Sequence, residues 1–491
     1  MGIPFNTRSF RRVSSAACTV VLSGCAASAP PFANPLSVKS PGEYVTVGTA
    51  LGGPDRDWTK SFKDKKLEKL IAEVHENNFD LQAAVARVDQ AAAAAKFERG
   101  DRIPTLETNF NGNRQQQAFI GFPFGGEGGM AQATDTPSKS RFNQFGVSLD
   151  LSWELDLWGR VRAGESALIA QTQAAGFDYE SLRISLAGQT AKAWFALIEA
   201  NQQLALAEES VESFEDSKEI IRDQFKLADQ SGAQVRLSMA DVENARATLA
   251  QREEELKAAT RQLELLLGRY PSGELKAAKS LPSLAKPPPT GLPSELLYRR
   301  ADLAAAERRL ASSNREIKEA KLALLPSFSL TGSAGTATED ISNVLQIPDF
   351  GIWSIAGRAT QTLLASGKTL AEISRRKAVV AESLADYQST ALAAFSEVEN
   401  ALTAEQTLRA REAALDKADE LLEEAYDRAK QEYRDGVGDV LTILTAQRQL
   451  LTTRSQLLTV RRARLDNRVN LYLALGGDFD SRRNVDKAIS S

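Results

Sequence analysis

The chain has 491 residues, with 60 Lys and Arg against 64 Asp and Glu and a net charge of −4. That length allows roughly two to four ordinary domains, and the slightly acidic balance argues against a nucleic-acid partner. With one histidine, three methionines and two cysteines, the chain lacks the material for histidine-based catalysis or a His/Cys metal cage. No cofactor is expected. The histidine, His75, sits in the polar run VHENNFD and is expected at the surface.

The first 24 residues read as a secretory signal. Arg8, Arg11 and Arg12 precede VSSAACTVVL, an apolar run too short to span a bilayer. Leu22-Ser23-Gly24-Cys25 resembles the bacterial lipobox, in which cleavage leaves the cysteine first and lipidated, so Cys25 is the expected lipidation site. The alternative is a plain signal with an incidental cysteine. Cys18 would leave with the signal, so the mature chain has no internal disulfide. It would carry 57 basic and 64 acidic residues, a charge of −7. Residues 25–61 continue after Cys25 as AASAPPFANPLSVKSPGEY, have no hydrophobic period and read as a tether.

One plan then occurs twice. Residues 62–270 form a first repeat, opening on a helix over about 62–100. Residues 271–293 hold six of the 17 prolines and read as a linker, 294–477 form a second repeat and 478–491 a tail. Asp80/Asp302, Leu81/Leu303 and Pro104/Pro326 lie 222 apart, whereas Gly159/Gly367, Phe225/Tyr433 and Gly268/Gly476 lie 208 apart. Two spacings held by three pairs each predict an internal duplication, with the difference absorbed in the loop between paired strands. Each unit reads helix, strand, loop, strand, long helix, turn, helix. Between Gly367 and Gly436 lie 68 residues without Gly or Pro, about 100 Å as one helix. Such helices bury their apolar stripes on each other, as a coiled coil, a bundle or a tube.

Strands are predicted at about 105–112, 144–157, 327–334 and 352–364. In FGVSLDLSWELDLWGR, residues 145–160, apolar and polar residues alternate. Leu149, Leu151, Trp153 and Leu155 fall on one face of a strand, and Asp150, Glu154 and Asp156 on the other. This is the length and pattern of a membrane strand, with the leucine face toward lipid and the acidic face toward a wet lumen. A soluble sandwich strand would alternate too. Only closed sheets survive in a bilayer, and four strands cannot close, so several chains must pool theirs: two copies give eight strands and three give twelve.

Over residues 57–477 the chain resembles the TolC-like outer-membrane efflux family, in its lipoprotein branch. The resemblance rests on WELDLWGRVRAGE, on RADLAAAERRLASSNREIKEAKLALLPSFSLTGSAG, where Ala301 replaces a usual proline, on YRDGVGDVLTILTAQRQLL and on NLYLALGGDF. It implies a mainly α protein with a small β part: a homotrimer with a twelve-stranded transmembrane barrel and long helices through the periplasm. It also implies passive export of small molecules such as drugs, an RND-type inner-membrane transporter supplying the energy, and a periplasmic adaptor between. The helix–turn–helix tips would contact the adaptor, at Ser231, Gly232 and Ala233 and at Gly436, Val437 and Gly438. Leu441 matches a leucine that lines the family's tightest ring. Four residues on, Thr445 stands where an aspartate is usual, which leaves Asp439 as the nearest carboxylate at the tip. Asp439 could equally just cap the helix that follows it.

No catalytic motif is visible, and an enzyme is not expected. Carboxylate pairs such as Glu423-Glu424 fit solvated helix faces. Two other readings stand beside the efflux duct: the same channel serving protein secretion or metal export, and a non-conducting periplasmic strut. Few Met and His residues disfavour copper or silver handling, and Asp150 and Glu154 on a polar face disfavour the strut.

Overall fold

The computed structural model describes residues 44–45, 57–119, 138–226, 232–284, 286–364 and 367–479. Cys25, Ser231, the signal segment and most of the tail lie outside the described residues. The elements are α1 (Lys65–Asn77), α2 (Phe79–Gly100), β1 (Thr105–Phe119), β2 (Ser138–Leu155), α3 (Arg160–Lys226), α4 (Gly232–Leu266), α5 (Ala301–Leu322), β3 (Ser327–Thr336), β4 (Gly351–Thr360), α6 (Lys368–Arg434) and α7 (Val440–Ala474). Short helical turns cover Trp58–Phe62 and Leu296–Arg299.

The duplication is written in the element lengths. Helices α2 and α5 both have 22 residues, α3 and α6 both 67, and α4 and α7 both 35. The glycines that carry the repeat have a physical reason to be there. Gly159 and Gly367, each next to the start of a long helix, have φ of 80° and 75°, and Gly268 and Gly476, just past the ends of the shorter ones, have 70° and 98°. A Cβ is strained in that left-handed region.

The chain divides into two compact units. The sheet unit holds residues 91–172 and 310–382 of the described chain. Its four strands run antiparallel in the order β1-β2-β3-β4, so β1 and β4 are open edges. The helical unit holds the remainder. Its largest core gathers Trp58, Phe62, Leu67, Val74, Trp194, Phe195, Leu263, Val469 and Tyr472. Asp64 ties that core to the start of α1. Its carboxylate accepts the amides of Lys66 and Leu67 as a helix cap, and also the Trp194 indole N–H at 2.7 Å.

Several sequence expectations need correction. The helix over 62–100 is broken at Asn78, whose side chain accepts the Asp80 and Leu81 amides and donates to the Leu266 carbonyl. The tether range contains packed residues. Tyr44 is buried with Leu296, Val398 and Leu471, and Trp58 stacks on Tyr472 with centroids 5.7 Å apart. His75 is half-buried rather than on the surface. One ring nitrogen lies 3.2 Å from the Arg183 carbonyl, and burial lowers its pKa. The proline-rich linker is held by Glu264, which accepts the amides of Gly273, Glu274 and Leu275 and the Ser272 hydroxyl.

Strand limits shift as well. β1 runs on to Phe119 because its pairing with β2 continues through the Asn and Gly residues that look like a turn. β2 stops at Leu155, so Asp156 is not on its polar face. Its carboxylate accepts the amides of Val161 and Arg162 at 3.1 and 3.0 Å and caps α3. β4 ends at Thr360, after which the Gln361 side chain turns back onto the Leu324 carbonyl.

Candidate functional site

Residues opposite each other in an antiparallel pair project to the same face. The register therefore sorts the sheet. Leu106, Leu151, Gly332 and Ile355 form one row; Thr108, Leu149, Ala334 and Trp353 the next; then Trp153, Leu330 and Gly357; then Leu155, Phe328 and Ala359. The alternate rows are Glu107, Asp150, Ser333 and Ser354; Thr105, Ser152, Thr331 and Ala356; and Glu154, Ser329 and Arg358. In these rows the first face is almost free of hydrogen-bonding groups and the second almost made of them. Farther along β1 and β2 the first face turns polar, with Arg114 opposite Asn143 and Gln116 opposite Arg141. Asp150 accepts from Asn109 Nδ2 and Ser148 Oγ, both at 2.7 Å. The Trp153 indole donates to the Arg102 carbonyl at 3.0 Å, below which charged residues take over. Glu154 holds Arg160 through both carboxylate oxygens at 3.0 and 3.1 Å, and Arg102 reaches the buried Glu165 at 2.8 Å. Burial raises the pKa of Glu98 and of Glu319 in the same unit.

In the helical unit, the turn from α6 to α7 is built on glycine. The amides of Val437 and Gly438 both return to the Glu432 carbonyl at 3.0 Å, while Gly436 has φ of 78°. Beneath the turn, Tyr426, Tyr433, Val440, Ile443, Leu444 and Leu450 pack with Ile221. Leu441 and Thr445 point the other way: one helical turn apart, both are exposed while Ile443, Leu444 and Gln447 are buried. Asp439 stands at the N-cap position, but its side chain makes no capping bond, so capping does not account for it. It faces the buried Tyr433, whose hydroxyl is raised in pKa by burial and by the Asp439 charge. Gly232 and Ala233 are exposed at the start of α4, and Val437 is exposed at the second turn.

A polar clasp beside this turn escaped the sequence reading. Gln447 donates to Ser213 Oγ at 2.8 Å and accepts from Ser217 Oγ at 3.1 Å, joining α7 to α3. The available signal was a glutamine on the buried stripe of α7, three residues after Leu444. Among the described residues, no group of three or more His, Cys, Asp or Glu side chains could hold a metal, and no helix is long and apolar enough to cross a membrane.

The family model described as outer membrane efflux protein matches residues 70–269 and 292–477, one match for each repeat. The chain belongs to this family. It is 29% identical over 482 residues to the toluene efflux pump outer membrane protein TtgF of Pseudomonas putida, covering 95% of this chain and 97% of that one. It is 28% identical over 437 residues to the cation efflux system protein CusC of Escherichia coli, covering 88% and 90%. Among solved structures, the outer-membrane channel OprN superimposes with a TM-score of 0.81 at 26% identity, covering 92% of this chain and 99% of that one. The fold is that of the trimeric TolC-like channels, with four strands from each chain completing a twelve-stranded barrel. The protein is an outer-membrane channel component of an efflux pump, and its family is a transport duct.

Proposed function

We propose that the protein is the passive exit duct of a tripartite pump for small organic molecules, working with a periplasmic adaptor and an RND-type inner-membrane transporter. In this reading the leucine-bearing sheet face meets lipid through Leu149, Leu151, Trp153 and Leu155, and Asp150 and Glu154 line the wet interior. Cys25 carries lipid as a second anchor. The tips at 231–233 and 436–438 meet the adaptor. The observation that carries the cargo class is the exposed pair Leu441 and Thr445 on one face of α7. Repeated by three chains, the Leu441 and Thr445 rings are uncharged, and the carboxylate of the aperture is Asp439 at the tip rather than one on the inner ring. Relatives named for toluene and for cation efflux bracket the choices, and an uncharged ring favours the organic one.

The test is complementation in a host lacking its own outer-membrane efflux channel, with a periplasmic adaptor and an RND-type transporter co-expressed. The expected result is reduced accumulation of a fluorescent organic dye. A host that regains copper or silver tolerance while still accumulating dye would overturn the cargo assignment.

A further inference from the structure

The open edges of the sheet carry a matched pair of charges. On the polar face, β1 has one charged residue, Glu107, and β4 has one, Arg358. Both are exposed on edge strands. Within the chain Glu107 lies directly opposite Asp150, and two carboxylates so placed repel. Arg358 lies opposite Ser329, in the row of Glu154. On the polar face each edge therefore carries one unbalanced charge, and the two are opposite in sign; the other charge on β1, Arg114, lies on the opposite face.

We propose that β1 of one chain pairs antiparallel with β4 of the next in the register that sets Glu107 opposite Arg358 of the partner subunit. The proposal rests on the trimeric barrel and specifies its seam. Three consequences of that register agree. The strand ends become flush, with Thr105, the first residue of β1, meeting Thr360, the last of β4. On the apolar face the cross-seam pairs are Leu106 with Ala359, Thr108 with Gly357, the two apolar residues Phe110 and Ile355, and Gly112 with Trp353, the last an arrangement in which an aromatic ring covers a strand glycine.

The third consequence is geometric. A path across the strands runs from Asp150 through Ser333 and Ser354, crosses the seam to Asn111 and reaches Gly146 of β2 in the next copy. That is a stagger of four residues per chain. For twelve strands it sets a tilt of about 35°, from roughly 3.3 Å per residue and 4.8 Å between strands. Transmembrane barrels tilt by about 35–45°. Sliding the seam two residues one way, to Thr105 opposite Arg358 of the partner subunit, drops the tilt to about 19°. Sliding it the other way raises the tilt to about 46°, but sets the arginine against Asn109 and leaves Glu107 facing only Asp150 and a threonine. One register satisfies charge, ends and tilt together. It also makes the seam a row in which the arginine offsets the Glu107–Asp150 repulsion.

Directly opposed residues on antiparallel strands have Cα atoms about 4.5–5.5 Å apart, within disulfide range. The chain carrying Glu107→Cys and Arg358→Cys, oxidised in the membrane, should run as a covalent trimer on a denaturing gel. The single-cysteine controls, and the pairs Thr105→Cys/Arg358→Cys and Asn109→Cys/Arg358→Cys, should stay mainly monomeric. Stronger linkage in either shifted pair overturns this register and leaves the trimer standing. No linkage in any of the three pairs overturns the register. If the cysteine pair fails to insert, the charge swap decides. Glu107→Arg or Arg358→Glu alone should lower the temperature at which the trimer dissociates in detergent, and the double swap should restore it. A double variant no better than the singles overturns the pairing.

Discussion

Asp150 and Leu151 are neighbours in sequence and lie on opposite faces of the sheet. Asp150 sits between Glu107 and Ser333, and Leu151 between Leu106 and Gly332. If the Leu151 face meets lipid, Leu151→Arg should destabilise the trimer by about 2–4 kcal/mol near the bilayer midplane. Asp150→Lys should fold and alter ion selectivity. Trimer yield after outer-membrane extraction checks the first, and reversal potentials in planar bilayers check the second. Equal tolerance at the two positions would remove the barrel assignment.

At the α6–α7 turn, Leu441→Ala should raise resting single-channel conductance and the leak of antibiotics into cells. Thr445→Asp should raise cation preference by adding a carboxylate from each chain to the same helix face. If both variants behave as the parent in single-channel recording, the aperture lies elsewhere.

Glu264 is buried and satisfies three backbone amides of the segment after α4. Burial alone would raise its pKa, but the amides and the Ser272 hydroxyl prevail and hold it below the usual carboxylate value. Its stabilisation is therefore full above the unfolded pKa and fades as pH falls through the native one. Glu264→Ala strips three amides of their acceptor at once; because Glu274 is exposed and Gly273 and Leu275 are half-buried, water replaces part of the loss, which is about 1–3 kcal/mol in total. Proteolysis between 271 and 293, mapped by mass spectrometry, should accelerate in the variant while the far-ultraviolet circular dichroism is retained.

Asp466 behaves in the opposite sense. Burial pushes its pKa up to about 6, partly offset by Arg462 at 2.8 Å and by Lys192, with Glu199 adding to the rise. The native state thus holds the proton more tightly than the unfolded chain. The resulting penalty is absent below the unfolded pKa, grows as pH rises, and is complete above about 6. It amounts to ~3 kcal/mol at most. Asp466→Asn should raise the melting temperature at pH 8, with the gain shrinking toward pH 4. Arg462 keeps Glu199 at 3.2 Å in that variant. A gain that does not depend on pH would show that the carboxyl is not strained.

The sequence by itself determined the repeat, the strands and the faces, because each is a local or periodic property. Alternation with period two fixes which residues of 145–155 share a side once a strand forms, and positive-φ glycines recur wherever the same turn recurs. Leu441 and Thr445 were singled out by the resemblance to the efflux family, and the local part of that reading is that residues four apart share a helix face. Tertiary structure decided what depends on partners distant in the chain. Tyr44, Trp58 and the segment after α4 look like free linker because short apolar or proline-rich stretches carry no period, and only the core they meet shows that they are packed. Asp156 reads as a strand residue until the start of α3 offers it two unpaired amides. Arg358 and Glu107 carry their charges in any sequence reading. That they are the charged residues of the polar face on the two open edges of one sheet follows only from strand order and register, which depend on β2 pairing with β3, as in Ser148 with Gly335 far along the chain.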